Sequence, residues 1–548
     1  MEKKMAKKWM SICVSAALAV TLTGCAAADK VSEFFKTNIA STIAQLREIS
    51  ATEPPKAEAT SAPEGKTAQV SNSLALGVTE IDTWNPIASQ SELVREAMQF
   101  VYEPLFTLDA GQRAVAALAQ DYAISPDGRT VEVNLKEGIY WHDGGRFDAY
   151  DVEYTVKKLK ELNSAYSGNV ADVAGCKAIG TNKVRFILTR SVPDFVSLLT
   201  FPIVRYQSAM DSGYTPVGTG PFQYYGKTGT DTYSFTANEG YRNGRPQIDK
   251  LDVCTIPDIS KCYSMFEASE IDFITSRVVD IASEMPRGNI KTYDYVSNNM
   301  TYLGFNLQSE HLSGADTRIA LSHLMNKEKL ASIKLYSRVA ATDLPFNPTS
   351  YVYYDVSPVL KDEPEKANEY LKKDGWEFDG EKYVRTVNGV KKTLNLRLLV
   401  NADSYRKMQT AQQIKDDFAR HGIEVTIDAL SYDSYAARAA AHNFDMFIGE
   451  ANMGANQDLT HLTGGGNYFS YYNAELDTLI AQAGMTGDEE QKKQLYIQAG
   501  NTLMADMPFT PLYYAKESLL TGAKLKTALM PTAGAFYTGM DKWSVYAN

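Results

Sequence analysis

The sequence predicts an α/β protein of two lobes, carried behind an export leader and a tether. Three observations predict it. The chain has 548 residues, more than one compact hydrophobic core supports. Its early part mixes short alternating strands with helices, and its later part carries a strand–helix–strand pattern over 393–430. Two such regions leave a cleft between them, where ligands usually bind. Hydrophobic residues make up 44% and charged residues 22%, the balance of a soluble globular body, and the formal net charge is −11. Acids and bases are interspersed. Nucleic-acid binders instead concentrate Lys and Arg on one face to displace counterions, so nucleic acid is not an expected partner. No internal repeat is evident.

The N-terminus acts as an address. MEKKMAKKW carries four lysines, and the apolar run MSICVSAALAVTL after it is too short for a good membrane span. The run ends in LTGC, Leu22 to Cys25. This resembles a bacterial lipobox, which implies that residues 1–24 are a signal peptide and that Cys25 is thioether-linked to diacylglycerol. A signal peptide with an incidental cysteine is the alternative. Losing residues 1–24, with four Lys and one Glu, takes the net charge from −11 to −14. Residues 25–68 then form the lipid anchor and tether. The piece KVSEFFKTNIASTIAQLREI is amphipathic and could lie on the membrane or pack on the body. ATEPPKAEATSAPEGKTAQ, rich in Pro, Ala, Glu and Thr, cannot bury a core. A flexible segment of roughly 40 residues reaches about 35 Å, enough to hold a body clear of the membrane. Such a tether favours a Gram-positive cell surface over a periplasm. Cys176, Cys254 and Cys262 remain in the body, an odd number. Cys254 and Cys262 could pair or stand as two buried thiols. Without C-x-x-C spacing no zinc site is indicated, and neither a metal nor a cofactor is expected.

The folded part starts near Val70. In SELVREAMQFVYEPLF, Val94, Met98, Val101 and Leu105 fall at helical spacing, with Ser89 and Glu92 placed to form a capping box. SPDG at 125–128 is a turn, and TVEVNL after it puts Val131, Val133 and Leu135 on one face of a strand. DAYDVEYTVKKLKEL reads as a helix capped by Asp148 with Val152, Val156 and Leu159 inward. KVRFIL at 183–188 alternates again. TLNLRLLV, then YRKMQTAQQIKDDFARHG, then IEVTIDAL form the later unit. Its helix stripe is Met408, Ala411, Ile414 and Phe418, with Gly422 at the C-terminal cap. Parallel strands so joined imply a right-handed crossover.

Residues 218–228, GTGPFQYYGKT, have the look of a phosphate loop. Such a loop needs four residues between its first Gly and Gly-Lys-Thr, and backbone N–H groups opening a helix. Here five residues separate Gly220 from Gly226, and Pro221 removes a donor. DTYSFTAN then alternates as a strand. The segment is therefore a Gly-Pro turn feeding an aromatic strand and a hairpin at 226–230.

PVGTGPF followed by NEGYRNGRPQIDKLDV is similar to a signature of the extracellular solute-binding proteins of the peptide-binding type, family 5, which serve ABC importers. IDTWNP and FVYEPLF resemble that family's opening pieces. GIYWHDGGRFDAYDVEYTVKKL matches its "F-H-D-G-x-x-F-x-x-x-D-V" block through His142, Asp143, Gly144, Phe147, Asp151 and Val152. YLGFNLQ with DTRIALSHLMNKEKL, NYFSYYNAELDTLI and MPFTPLYY follow in the family's order, although Ile319-Ala320 replaces the usual Val-Arg. The resemblance runs from about Leu74 to Tyr514. It implies a periplasmic-binding-protein-like fold of type II, in the large cluster with an extra subdomain, its lobes joined by hinge strands. The implied partition is 69–257 with 508–548 for the first lobe, an inserted subdomain at about 105–190, and 258–507 for the second. The implied work is capture of oligopeptides or dipeptides by a monomer that closes on them and delivers them to a permease with its ATPase subunits. The same architecture accommodates an oligosaccharide, opine or nickel chelate. A surface lipoprotein that signals is a third reading. An enzyme would want a G-x-S-x-G elbow or an H-E-x-x-H helix, and neither is present.

In peptide-binding members an Asp in a "G-W-x-x-D" stretch commonly holds the peptide ammonium. The corresponding stretch here is FIGEANMGANQDL, 447–459, with Glu450 in place of Trp and Met453 in place of Asp. Glu450 or Asp458 could supply the carboxylate instead, with Asn452 beside them. Trp84 is either a stacking wall or core. TGGGNYF allows close backbone approach to a ligand, which makes Asn467 and Tyr468 candidates. The six histidines are scattered with no i,i+4 pair, and each is expected to be structural.

Overall fold

In the computed structural model, residues 72–258, 260–275, 290–354 and 362–546 are described. The expected signal peptide, Cys25 and the expected tether lie outside them. The two-lobed α/β expectation is met by two hydrophobic cores strung along one sheet. Its eleven strands, in chain order, are β1 Ser73–Val78, β2 Phe222–Lys227, β3 Thr232–Ala237, β4 Lys250–Thr255, β5 Phe273–Thr275, β6 Lys291–Phe305, β7 Val339–Ala341, β8 Asn395–Asn401, β9 Glu424–Leu430, β10 Met446–Asn452 and β11 Phe509–Thr521. The spatial order is β9-β8-β10-β6-β11-β5-β1-β4-β3-β2, with β7 pairing on β11.

β8, β9 and β10 pair in parallel, as the strand–helix–strand pattern requires. The helix between β8 and β9 spans Tyr405–Ala419 and buries Ala411, Ile414 and Phe418. Gly422 ends it in the left-handed region at φ +75°. The N–H of Ile423 returns to the Phe418 carbonyl and that of Gly422 to Ala419, a Schellman closure. Strands β8 and β10 are buried on both faces over most of their length, because alternate residues enter two clusters of the second core. Leu396, Leu398 and Val400 pack with Phe418 and Met446, while Leu399 joins Phe447, Phe469 and Tyr514 on the other face.

β6 and β11 are long enough to run from one core to the other. Lys291–Val296 pairs with the far end of β11, and Met300–Gly304 with its near end. The register slips between Val296 and Met300, a bulge that re-aims the side chains of 297–299.

The first core also carries a four-stranded sheet, Ala119–Ile124, Thr130–Leu135, Lys183–Leu188 and Val173–Ala178, backed by the helix Ala149–Glu161. Asp148 caps that helix in a full capping box, with Val152, Val156 and Leu159 buried. The first helix is shorter than its spacing predicts. It covers only Glu92–Ala97, Ser91 caps it, and a 3-10 turn follows over Met98–Phe100. Ser89 bonds Asp82 instead, because the carboxylate of Asp82 also gathers the Thr83 and Gln90 N–H groups into a turn. Cys176, Cys254 and Cys262 are all free thiols.

The Gly-Pro turn is a structural knot. A Cβ on Gly218 would lie 1.8 Å from the Val101 carbonyl oxygen, and one on Gly220 2.7 Å from it. The Gly220 N–H donates to that same oxygen at 2.9 Å. His142 clamps the turn from the other side. Its Nδ1 accepts from Gly218 N at 3.2 Å and its Nε2 donates to the Gly220 carbonyl at 2.9 Å. Glu103 completes the knot, accepting from Thr219 Oγ1, Tyr241 Oη and Arg242.

The neutral, Nε2-protonated ring is the only form of His142 that makes both bonds, and burial holds its pKa below the ordinary value of 6.5. A base whose folded pKa is depressed gives stability that is complete above its unfolded pKa and lost as pH falls through the folded value. Stability against denaturant is therefore expected to fall from pH 7 to pH 5. His142→Gln, which cannot titrate, removes part of that slope and lowers stability at pH 7 by about 1 kcal/mol per bond lost. Equal slopes for the two proteins would contradict this role.

Candidate functional site

Between the two cores lies a cavity of about 750 Å³, within the range of small-molecule sites. One wall comes from the first core and includes Arg95, Gln99, Tyr102, Glu103 and Pro104 with the C-terminal segment 533–541. The facing wall is Asn298 and the run from Asn452 to Asp458, with His461. Asn452 is the last residue of β10, so the site sits at the carboxyl end of a parallel strand, where open α/β sheets place ligands. Asn298 reaches the cavity because the β6 bulge turns it there.

Two of the sequence-predicted residues lie on this wall. Asn452 donates to Asn299 Oδ1 at 3.1 Å and accepts from Gly454 N at 2.9 Å. Asp458 is buried and its charge is taken. Arg190 Nη2 stands 2.6 Å away, and Thr460 donates through both N and Oγ1. Arg190 also holds Asp172 at 2.8 Å. One guanidinium from the first core thus ties a carboxylate on each side.

The other four lie elsewhere. Trp84, 6% exposed, packs edge-on against Tyr233 and Phe235 at 5.1 and 5.6 Å. The structure therefore gives it the core reading. Glu450 stands on β10 with its carboxylate 3.3 Å from Lys407 Nζ and does not line the cavity. Asn467 spends its carboxamide on its own loop, donating to the carbonyls of Gly464 and Tyr471 and accepting from Phe469 N and Tyr471 N. Tyr468 is exposed and packs on Phe447.

Sequence reading missed Asn298, Asn456, Arg95 and Asp541 as cavity residues. Nothing in the sequence singles out Asn298, because its exposure depends on the bulge. Asn456 was within reach, three residues beyond Met453. Among the described residues no group of three or more His, Cys, Asp or Glu side chains is placed to hold a metal. His461 is held below its ordinary pKa by burial and bonds the Asp458 carbonyl at 2.8 Å; it is a loop brace.

The walls are also bridged outside the cavity. Lys492 and Asp194 form a buried ion pair at 2.7 Å, and Gln112 of the first core donates to Asn298 Oδ1 at 2.9 Å and accepts from Gln457 at 3.0 Å. Removing one partner of a buried pair such as Lys492–Asp194 costs roughly 3–5 kcal/mol, because the other charge is stranded.

The model of the bacterial extracellular solute-binding proteins, family 5 Middle, matches residues 113–471. The chain is 23% identical over 476 residues to an oligopeptide-binding protein, AppA, of Bacillus subtilis (strain 168), covering 82% of this chain and 87% of that one. It is 26% identical over 427 residues to a dipeptide-binding protein of Escherichia coli (strain K12), covering 70% and 78%. Among solved structures, the unliganded open form of the periplasmic murein tripeptide-binding protein MppA superposes with a TM-score of 0.74 at 18% identity, over 88% of this chain and 99% of that one. The last of these shows the fold.

Proposed function

Because the chain belongs to the family 5 bacterial extracellular solute-binding proteins, we propose that it is the lipid-anchored solute receptor of an ABC importer and that its ligands are peptides. Proteins of this family are substrate-binding transport proteins, not enzymes, and they work with ABC permeases. The observation that carries the reading is the cavity between the cores, walled by hydrogen-bonding groups from both. Ligand bridging two lobes stabilises their closed arrangement, and a permease can read that closure. We assign the first lobe to 69–257 and 508–548 and the second to 258–507. Two cores are consistent with such a division, although Phe273 and Tyr295 pack in the first core and Phe509, Leu512, Tyr513 and Tyr514 in the second, so the strands β5, β6 and β11 cross the assigned boundaries. Asn452 is assigned to ligand contact, and Asp458 to holding Arg190 at the cavity edge.

The anchor is supported by the LTGC sequence at Leu22–Cys25. Cys25→Ser is expected to move the protein from the membrane fraction to the medium or periplasm; retention of the variant in the membrane would contradict the lipid assignment. For the ligand, a library of short peptides is screened by thermal shift against the lipid-free protein. Peptides are expected to raise the melting temperature, since a ligand at a hundred times its Kd stabilises by about 2.7 kcal/mol. If no peptide does so while a sugar or nickel does, the peptide assignment fails.

A further inference from the structure

The cavity wall on the second core carries a single carboxylate, Asp458. Met453 stands where a clamping carboxylate was expected and is buried at 1% exposure, and Asn452, Gly454, Ala455 and Asn456 continue the run without charge. Its one carboxylate, Asp458, shares the Arg190 guanidinium with Asp172 and also accepts from Thr460 N and Oγ1. Glu450, the other candidate for an ammonium, faces Lys407. A ligand ammonium at either carboxylate would compete with charge-assisted bonds already made to Arg190 or Lys407.

Asn456 is the group on this wall that lacks a partner. It is 6% exposed and lines the cavity. Its main-chain carbonyl accepts from Tyr496 Oη, but among the described residues its carboxamide makes no hydrogen bond. Its carboxamide atoms are not among the fully enclosed ones that lack a partner, so they stay accessible, and a carboxamide offers two N–H donors beside an acceptor. Asn298 adds to it. Its Oδ1 accepts from Gln112 and from Asn347 Nδ2 at 3.0 Å, while its own N–H groups donate to no protein acceptor among the described residues. The complement of such a surface is another amide, a C=O and an N–H side by side.

We infer that Asn456, with Asn298, is the ligand-reading element of this site, and that it pairs with an uncharged amide of the ligand rather than with a free α-ammonium. The inference rests on the peptide assignment and names what part of the peptide is read. N-blocked peptides and internal stretches of longer ones then bind as free ones do. Asp541, on the opposite wall, forms no salt bridge among the described residues, and an ammonium clamp there is the rival arrangement.

A peptide that raises the melting temperature is titrated calorimetrically in its free and N-acetylated forms against the wild-type protein, Asn456→Leu and Asp541→Asn. The wild type is expected to bind both forms within about threefold, and Asp541→Asn to leave that ratio unchanged. Asn456→Leu, checked for an unchanged melting temperature without ligand, is expected to weaken both forms by more than tenfold, the loss when a buried amide keeps no partner. A penalty of tenfold or more for acetylation in the wild type overturns the inference while leaving the peptide assignment standing. So does unimpaired binding by Asn456→Leu. If neither form of any peptide binds, the peptide assignment falls and the inference falls with it.

Discussion

The contact between the Gly-Pro turn and the Val101 carbonyl constrains everything around it. No side chain fits at 218 or 220, so two glycines let the turn reach the backbone that leaves the first helix. His142 then fixes the turn by two bonds, and Glu103 gathers Thr219, Tyr241 and Arg242. Four segments far apart in the chain meet here, near 101–103, 142, 218–221 and 241–242. Tyr102, Glu103, Pro221 and Tyr241 also line the cavity. The knot that secures the first core is therefore the floor of the site.

A second constraint joins the cores. β6 and β11 pass between them as a paired ribbon, and the ribbon's one large irregularity falls at 297–299. A regular ladder would alternate these residues between the two faces of the sheet. The bulge instead turns Asn298 into the cavity and leaves its carbonyl to accept from Met453 N. One irregularity thus shapes the wall and fastens the 452–458 run to the strand beside it. Rigid elements carry the recognition groups, and the cross-contacts Arg190–Asp458 and Lys492–Asp194 decide how the two sides meet.

Much of the fold was legible because its signals are local. The crossover of β8 and β9, the Gly422 cap and the Asp148 N-cap each follow from a period or a cap that a short window contains. The failed phosphate loop was legible for the same reason. The helix at 92–97 was over-read, since Asp82 takes Ser89 into a turn seven residues upstream, and Trp84 resolved as core once strands β2 and β3 closed over it. The site was legible only as a segment. The second half of the run 447–459 lines the cavity, but which of its side chains are free depends on Arg190, 268 residues away. Asn467, a candidate by its neighbourhood, turned out to have all its carboxamide bonds within its own loop. The sequence motifs shared with the family mark staples: His142, Asn306 and Arg318 bond backbone carbonyls. The cavity-lining run 452–458 falls between such motifs, where sequence offers little to hold on to.

The central proposal is that solute is held between the cores against the 452–458 wall. Hydrogen–deuterium exchange with and without a saturating peptide tests it directly. Slower exchange is expected in 452–461 and 297–300 together with 533–541, because ligand would cover both walls at once. Protection confined to other surfaces, with these three segments unchanged, would contradict the site.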